Sequence, residues 1–179
     1  MPKDLKKFII PSITLALVAS GSAALIGVTN FFTKGPIAEN EKKRIRAGIV
    51  EIFNEDVQIL EEKEIDDSTL KYTNYEYTLN DGVAFRTTGT NSYGKISMLV
   101  GYLAGLLPGG DDTIVYRFCG VYMITNEQSY ASTLVDNYVT PLNNEEINYD
   151  DVKCGATFGA TLIKNMIDET NKIMEERTK

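Results

Sequence analysis

Three rhythms of apolar and polar residues divide this chain. From Phe8 to Phe32 the sequence FIIPSITLALVASGSAALIGVTNFF carries no charged residue, and about 20 apolar residues are enough to cross the hydrocarbon core of a bilayer. A single transmembrane helix is therefore predicted over 8–32, preceded by a short tail at 1–7. Gly21, Ser22, Ala23 and Gly27 are small enough to let a second helix approach closely, although such residues are also common in membrane helices generally. A cleaved signal peptide is the competing reading, because Lys3, Lys6 and Lys7 precede the run and Ser22-Ala23-Ala24 resembles a cleavage site. The apolar run, however, exceeds the roughly 7–15 residues usual for such peptides. Basic residues flank the span on both sides, so their count does not orient it.

Beyond the span the period becomes helical. Gly35-Pro36 is expected to break the first helix, with Pro36 opening a second. Ile45, Ile49, Ile52 and Phe53 then recur on one face, opposite Glu39, Glu41, Lys42, Lys43 and Arg46. This predicts a juxtamembrane helix over 35–54. From residue 57 to 125 the pattern is that of short strands: Val57 to Leu60, Lys71 to Leu79, Val83 to Thr88, Lys95 to Leu103 and Thr113 to Thr125. Asn80-Asp81-Gly82 between two of them is a hairpin signal. Leu106-Leu-Pro-Gly-Gly-Asp-Asp112 reads as a second turn between antiparallel strands. A helix is expected from Glu127 to about Val139, ended by Thr140-Pro141, and an acidic loop follows from Asn143 to Asp150. A last helix begins near Thr157, with Phe158, Leu162, Ile163, Met166, Ile167, Thr170 and Met174 on one face. The fold class that follows is α+β: one N-terminal transmembrane helix, then a domain over 55–179 built on an antiparallel sheet flanked by helices.

Charge and composition narrow the function. The 179 residues carry 18 basic and 25 acidic side chains. Setting aside Lys3, Lys6, Lys7, Lys34 and Asp4 leaves 14 basic and 24 acidic residues, a net charge of −10, which argues against nucleic acid as a partner. There is no histidine, which removes the commonest metal ligand and general base and excludes Ser-His and Cys-His hydrolases. Cys119 and Cys154 are too few for an all-cysteine iron–sulfur or zinc site and are read as separate, half-buried thiols. Asp111-Asp112 and Asp150-Asp151 lie in loops and read as solvated turns rather than acid–base or calcium sites.

The segment with most chemical content is Asp151-Val-Lys-Cys-Gly-Ala-Thr-Phe-Gly-Ala-Thr161, where a Gly-Ala-Thr turn opens a helix and offers backbone amides to a phosphate. The same glycines also suit a tight turn into a helix, and Thr157 suits an N-cap as well as a phosphate ligand. Glu127 suits the start of its own helix.

These features together resemble the membrane-anchored FMN-binding subunits of bacterial respiratory ion pumps: the G subunit of Rnf electron-transport complexes and the C subunit of sodium-translocating NADH:quinone reductases. The resemblance is carried by Ile13 to Phe53, with Thr29-Asn30 and Lys34-Gly-Pro-Ile-Ala-Glu-Asn-Glu41. It returns in Ser92-Tyr-Gly-Lys-Ile-Ser-Met-Leu-Val-Gly101 and in Asp151 to Asp168. It implies FMN as cofactor, other membrane subunits of an electron-transport complex and a flavin transferase as partners, and a single-pass protein of the cell membrane with its domain on the extracytoplasmic side. The cofactor-binding residues it implies are Glu127, Cys154, Gly155, Ala156, Thr157, Gly159 and Thr161.

Two departures from the family pattern bear on that cofactor. The family motif Ser-Gly-Ala-Thr-x-Thr carries FMN on its final threonine through a phosphodiester. Here that position falls on Gly159, which has no hydroxyl, and the alternative alignment places Ile163 there. Thr157 and Thr161 are the nearby hydroxyls. The family's Glu-Thr-Pro-Gly-Leu-Gly loop corresponds to Glu127-Gln-Ser-Tyr-Ala-Ser132, without its glycines and proline. Three readings stay open: a redox subunit relaying electrons through FMN, a subunit that keeps fold and anchor but has lost its flavin, and non-covalent FMN held at the Gly155 to Gly159 turn.

Overall fold

The structure is a computed structural model that describes residues 3–106 and 114–177. The chain divides into two units, Met1–Lys43 and Arg44–Lys179. Helix α1 covers Lys3–Ile52, so the expected break at Gly35-Pro36 does not occur, nor does a separate tail extend to residue 7. Pro11 and Pro36 both lie inside α1. Each proline removes one backbone donor, but strong helix formers such as Ala38, Glu39, Glu41, Lys42 and Lys43 follow Pro36 and carry the helix on. Within α1 the stretch Ile9–Thr29 is long and apolar enough to cross a membrane, and none of that window is buried.

The second unit is organised by a five-stranded antiparallel sheet in the order β1-β2-β3-β4-β5. Its strands are β1 (Ile59–Glu64), β2 (Thr73–Leu79), β3 (Gly82–Asn91), β4 (Gly94–Leu106) and β5 (Ile114–Asn126). Asn80 and Asp81 form the two-residue connection that the sequence signals, and Thr78 pairs with Val83 across it. Residues 107–113, the core of the second expected turn, lie outside the described residues. The strands on either side of them are antiparallel, with Leu106 opposite Ile114.

Period-2 alternation sends the strand side chains to two cores. Val83, Phe85, Ile96, Met98, Val100 and Tyr102 face helix α4 (Thr157–Arg177), which supplies Leu162, Ile163, Met166, Ile167 and Met174. Each such fully buried side chain contributes roughly 1.5–3 kcal/mol relative to exposure. Ala84 and Leu99 point to the other face, where Ile45 and Ile49 from the last turns of α1 cover them together with Tyr77, Leu79 and Ile124. The sheet is thus helix-covered on both faces, in the α+β arrangement that the sequence predicts.

Two polar ties fasten α4 to the sheet. The Glu169 carboxylate accepts bonds from the backbone amides of Lys71, Tyr72 and Thr73 at 2.7, 2.9 and 2.8 Å, and from the Thr73 hydroxyl at 2.7 Å. Arg177 forks onto both oxygens of Glu76 on β2.

The middle helical segment differs from expectation at both ends. It begins at Ala131 rather than Glu127, and it continues through Pro141 as α2 (Ala131–Leu134), a π-helical turn (Val135–Val139) and α3 (Thr140–Asn143). The wide turn explains the continuation. Thr140 donates its amide to the Val135 carbonyl five residues back, which widens the backbone just ahead of a proline whose ring otherwise clashes with the carbonyl one turn earlier.

Candidate functional site

At the start of α4 three separate stretches of chain meet. The loop after α3 is pinned to α4 by Lys164, which bonds Asp150 at 3.0 Å and Asp168 at 2.6 Å. Those two carboxylates hold the Lys164 ammonium above the usual lysine range. The loop ends at Gly155, whose φ of +84° is a left-handed conformation that glycine adopts without penalty. The chain then turns into Ala156, whose carbonyl accepts the first helical bonds from Gly159 at 2.9 Å and Ala160 at 3.1 Å.

The second stretch is the β3–β4 hairpin tip, Asn91 to Gly94. Asn91 receives the Tyr93 amide at 2.8 Å and donates its own side-chain amide to the Phe158 carbonyl at 3.1 Å. This fixes Tyr93 over α4: its ring centroid lies 5.2 Å from that of Phe158 and 6.2 Å from that of Tyr130.

The third stretch is the connection from β5 to α2. Glu127 and Ser129 donate backbone amides to Lys95 and Tyr93 at 2.8 and 3.1 Å, and the Gln128 side chain donates to the Gly94 carbonyl at 2.6 Å. Gly94, at φ +138°, lets the backbones come this close, since a Cβ there would stand 2.1 Å from the Glu127 carbonyl oxygen.

Together they enclose a cleft of about 260 Å³ lined by Tyr93, Gln128, Tyr130, Leu134 and the run Gly155, Ala156, Thr157, Phe158 and Gly159. No charged side chain is among these lining residues. Three rings, glycine backbone and the amide-rich first turn of a helix suit a flat, weakly polar ligand with an anionic end.

Of the residues that the sequence implicates, Gly155, Ala156, Thr157 and Gly159 line this cleft, and Thr157 is the first residue of α4 rather than its cap. Thr161 sits one turn on, exposed, with its hydroxyl given to the Thr157 carbonyl at 2.7 Å. Cys154 is half-buried behind the turn and its carbonyl accepts a bond from Asn137. Glu127 is exposed and is not among the lining residues; its neighbour Gln128, only 7 % exposed, turns inward instead. Phe158, expected on the buried face of α4, is 66 % exposed, because Gly159 and Ala160 fill the inward positions of that turn and Phe158 stacks on Tyr93.

Gly159 itself is buried. A Cβ at this position would meet Leu134 Cδ2 at 2.7 Å and Gln128 Oε1 at 3.5 Å. Sequence reasoning misses Gln128, Tyr130, Leu134 and Phe158 as site residues, since only the pairing of β4 with β3 and β5 brings residues 94, 128 and 159 together.

A larger groove, about 790 Å³, runs between the β1–β2 connection and the second half of α4. Of its many charged lining groups, Glu169, Arg177 and Glu76 are engaged in holding α4 to β2. Asp150 is likewise taken up by Lys164, and Asp151 accepts the Asn148 amide at 3.2 Å.

Residues 1–52 match the family described as the RnfG N-terminal region. No curated protein and no solved structure matches the chain. The chain thus resembles the RnfG subunit of Rnf complexes through its N-terminal part, which supports a membrane-associated, Rnf-type electron-transport subunit working within a multi-subunit complex.

Proposed function

We propose that this protein is the membrane-anchored, G-type subunit of an Rnf-type electron-transport complex, and that the cleft at the start of α4 holds FMN without a covalent bond. The observation that carries the reading is the meeting of the Gly155-Ala156-Thr157 turn with the rings of Tyr93, Tyr130 and Phe158 in one uncharged cleft. The N-terminal match to the RnfG region supports the setting.

The residues fit the parts of such a cofactor. The rings offer π faces to a planar heterocycle, and the amides of Thr157 and Phe158, which precede the first helical bonds of α4, favour a phosphate. Tyr93 and Phe158 line the cleft with exposed rings, which leaves it accessible for loading. When bound, the flavin supplies the electron-transfer chemistry, and the protein supplies position and electrostatic tuning. The family's covalent bond is not part of this proposal, because Gly159 has no hydroxyl and the space for a side chain there is taken by Leu134.

A second reading is favoured by one observation. The cleft is slightly smaller than the roughly 300–1,000 Å³ typical of ligand pockets, and the Tyr93–Phe158 pair covers it. On this reading the subunit keeps anchor and fold and serves assembly alone. Affinity purification of the tagged chain from detergent-solubilised native membranes separates the two. Integral membrane partners with near-stoichiometric flavin support the first reading, partners without flavin support the second, and a chain recovered without partners contradicts both.

A further inference from the structure

Gln128 is the buried polar side chain of the cleft, and among the described residues its side chain makes a single hydrogen bond, through its nitrogen. The residue is 93 % buried, being 7 % exposed, and is held at three points. Its backbone amide donates to Asn126 Oδ1 at 3.1 Å, its carbonyl accepts the Ala131 amide at 3.1 Å, and its Nε2 donates to the Gly94 carbonyl at 2.6 Å. The last bond settles the orientation of the side-chain amide, because a carbonyl can accept only from the nitrogen end. Oε1 must then point the other way. It lines the cleft 3.5 Å from the position of a Gly159 Cβ and accepts no hydrogen bond among the described residues.

An amide oxygen on a buried side chain, fixed in place and open to a cleft of aromatic walls, selects for a donor on the edge of whatever lies between those walls. We propose that Gln128 Oε1 reads a ring N–H of the bound planar heterocycle. On the flavin reading above, on which this inference rests, that group is the imide N–H of the pyrimidine end of the isoalloxazine, the ring system's edge N–H in its oxidised state. Gln128 is on this account a specificity residue, distinguishing an imide-bearing heterocycle from flat aromatic compounds that lack the donor. Gly159 shares in the recognition, since a side chain there would stand between Oε1 and the ligand edge.

The test changes the ligand before it changes the protein. Full-length, flavin-depleted protein in detergent is titrated with FMN and with FMN methylated at the imide nitrogen, followed by quenching of flavin fluorescence. The expected result is that methylation weakens binding by roughly tenfold or more, since it removes the donor and sets a methyl group against an acceptor that the ligand has cut off from water. In the Gln128→Leu protein FMN itself binds more weakly, and the two ligands differ by less than about twofold, because the discriminating acceptor is gone. Equal binding of the two ligands by the unaltered protein overturns the assignment of Gln128 while leaving the flavin site standing. Failure of both ligands to bind the unaltered protein overturns the flavin reading itself, and this inference with it. Should Gln128→Leu fail to fold, the two-ligand comparison on the unaltered protein decides alone.

Discussion

Leu134 occupies the space that a side chain on Gly159 needs: a Cβ on the glycine would stand 2.7 Å from one Leu134 methyl and 3.2 Å from the other. Leu134 is itself fully buried, at 0 % exposure. The glycine that deprives the family motif of its hydroxyl is therefore also a packing residue, and the two roles cannot be changed separately.

Gly159→Thr is accordingly expected to lower stability by about 1–3 kcal/mol, the usual cost of overpacking a filled core. The added hydroxyl is also expected to gain no flavin adduct on co-expression with a flavin transferase. Thermal unfolding of the full-length protein and intact mass check the two statements. A stable Gly159→Thr protein carrying a flavin adduct would show that the turn opens readily and that Leu134 is no barrier.

Glu169 accepts four bonds at the start of β2, three of them from consecutive backbone amides. Hydrogen bonds to a charged group are worth about 1.5–3 kcal/mol each and do not add fully, so Glu169→Ala should cost about 3 kcal/mol. The local signature is faster hydrogen exchange at Lys71, Tyr72 and Thr73, with the amides in the middle of β4 changing only through global stability. Unchanged protection at those three amides would show that the carboxylate is dispensable.

Asn143 closes the outer edge of the sheet. Its side-chain amide accepts the Val121 N–H at 2.9 Å and donates to the Val121 carbonyl at 2.8 Å, as a neighbouring strand would. Asn143→Ala should cost about 1–2 kcal/mol and leave part of an edge strand open to pairing. Thermal unfolding and light scattering report these, and a variant of unchanged stability that stays monodisperse would contradict the assignment.

Burial pushes the Cys119 thiol from its ordinary 9.0 up to about 12, and burial together with the nearby Glu62 pushes the Tyr77 hydroxyl from 10.0 up to about 12. Between the ordinary and the raised values the unfolded chain releases protons that the folded chain keeps. Stability then falls as pH rises. The melting temperature is expected to drop as pH rises from about 9 towards 12, and to drop less in Cys119→Ala. A melting temperature flat across that window would contradict the burial of both groups.

Much of this architecture is legible in the sequence, for identifiable reasons. Strands β2 to β5 are legible in the sequence, and Asn80-Asp81-Gly82 fixes one register because few residues fit so short a turn; β1, expected from Val57 to Leu60, runs instead over Ile59–Glu64 with every residue exposed, and so carries no alternating pattern. The last helix is legible from Leu162 to Met174, where one face is continuously apolar. What is not legible depends on contacts distant in sequence. Gly35-Pro36 is a strong stop signal locally, yet the residues after it favour helix enough to continue α1. Pro141 is passed because a π turn precedes it, a feature without a sequence signature. Phe158 keeps the helical period of the buried face but stacks on Tyr93 from a hairpin 65 residues earlier. Gln128 reads as one polar residue in a polar loop until Gly94 fixes its side chain.

The central claim, a flavin held at the start of α4 without a covalent bond, is tested most directly by precipitating the protein, purified from its native membrane, with acid. The absorbance of the supernatant is then compared with that of the pellet. The account predicts a flavin spectrum in the supernatant, identified as FMN by mass, and a pellet whose intact mass is that of the unmodified chain. Flavin retained in the pellet on a peptide containing Thr157 or Thr161, or no flavin in either fraction, would contradict it.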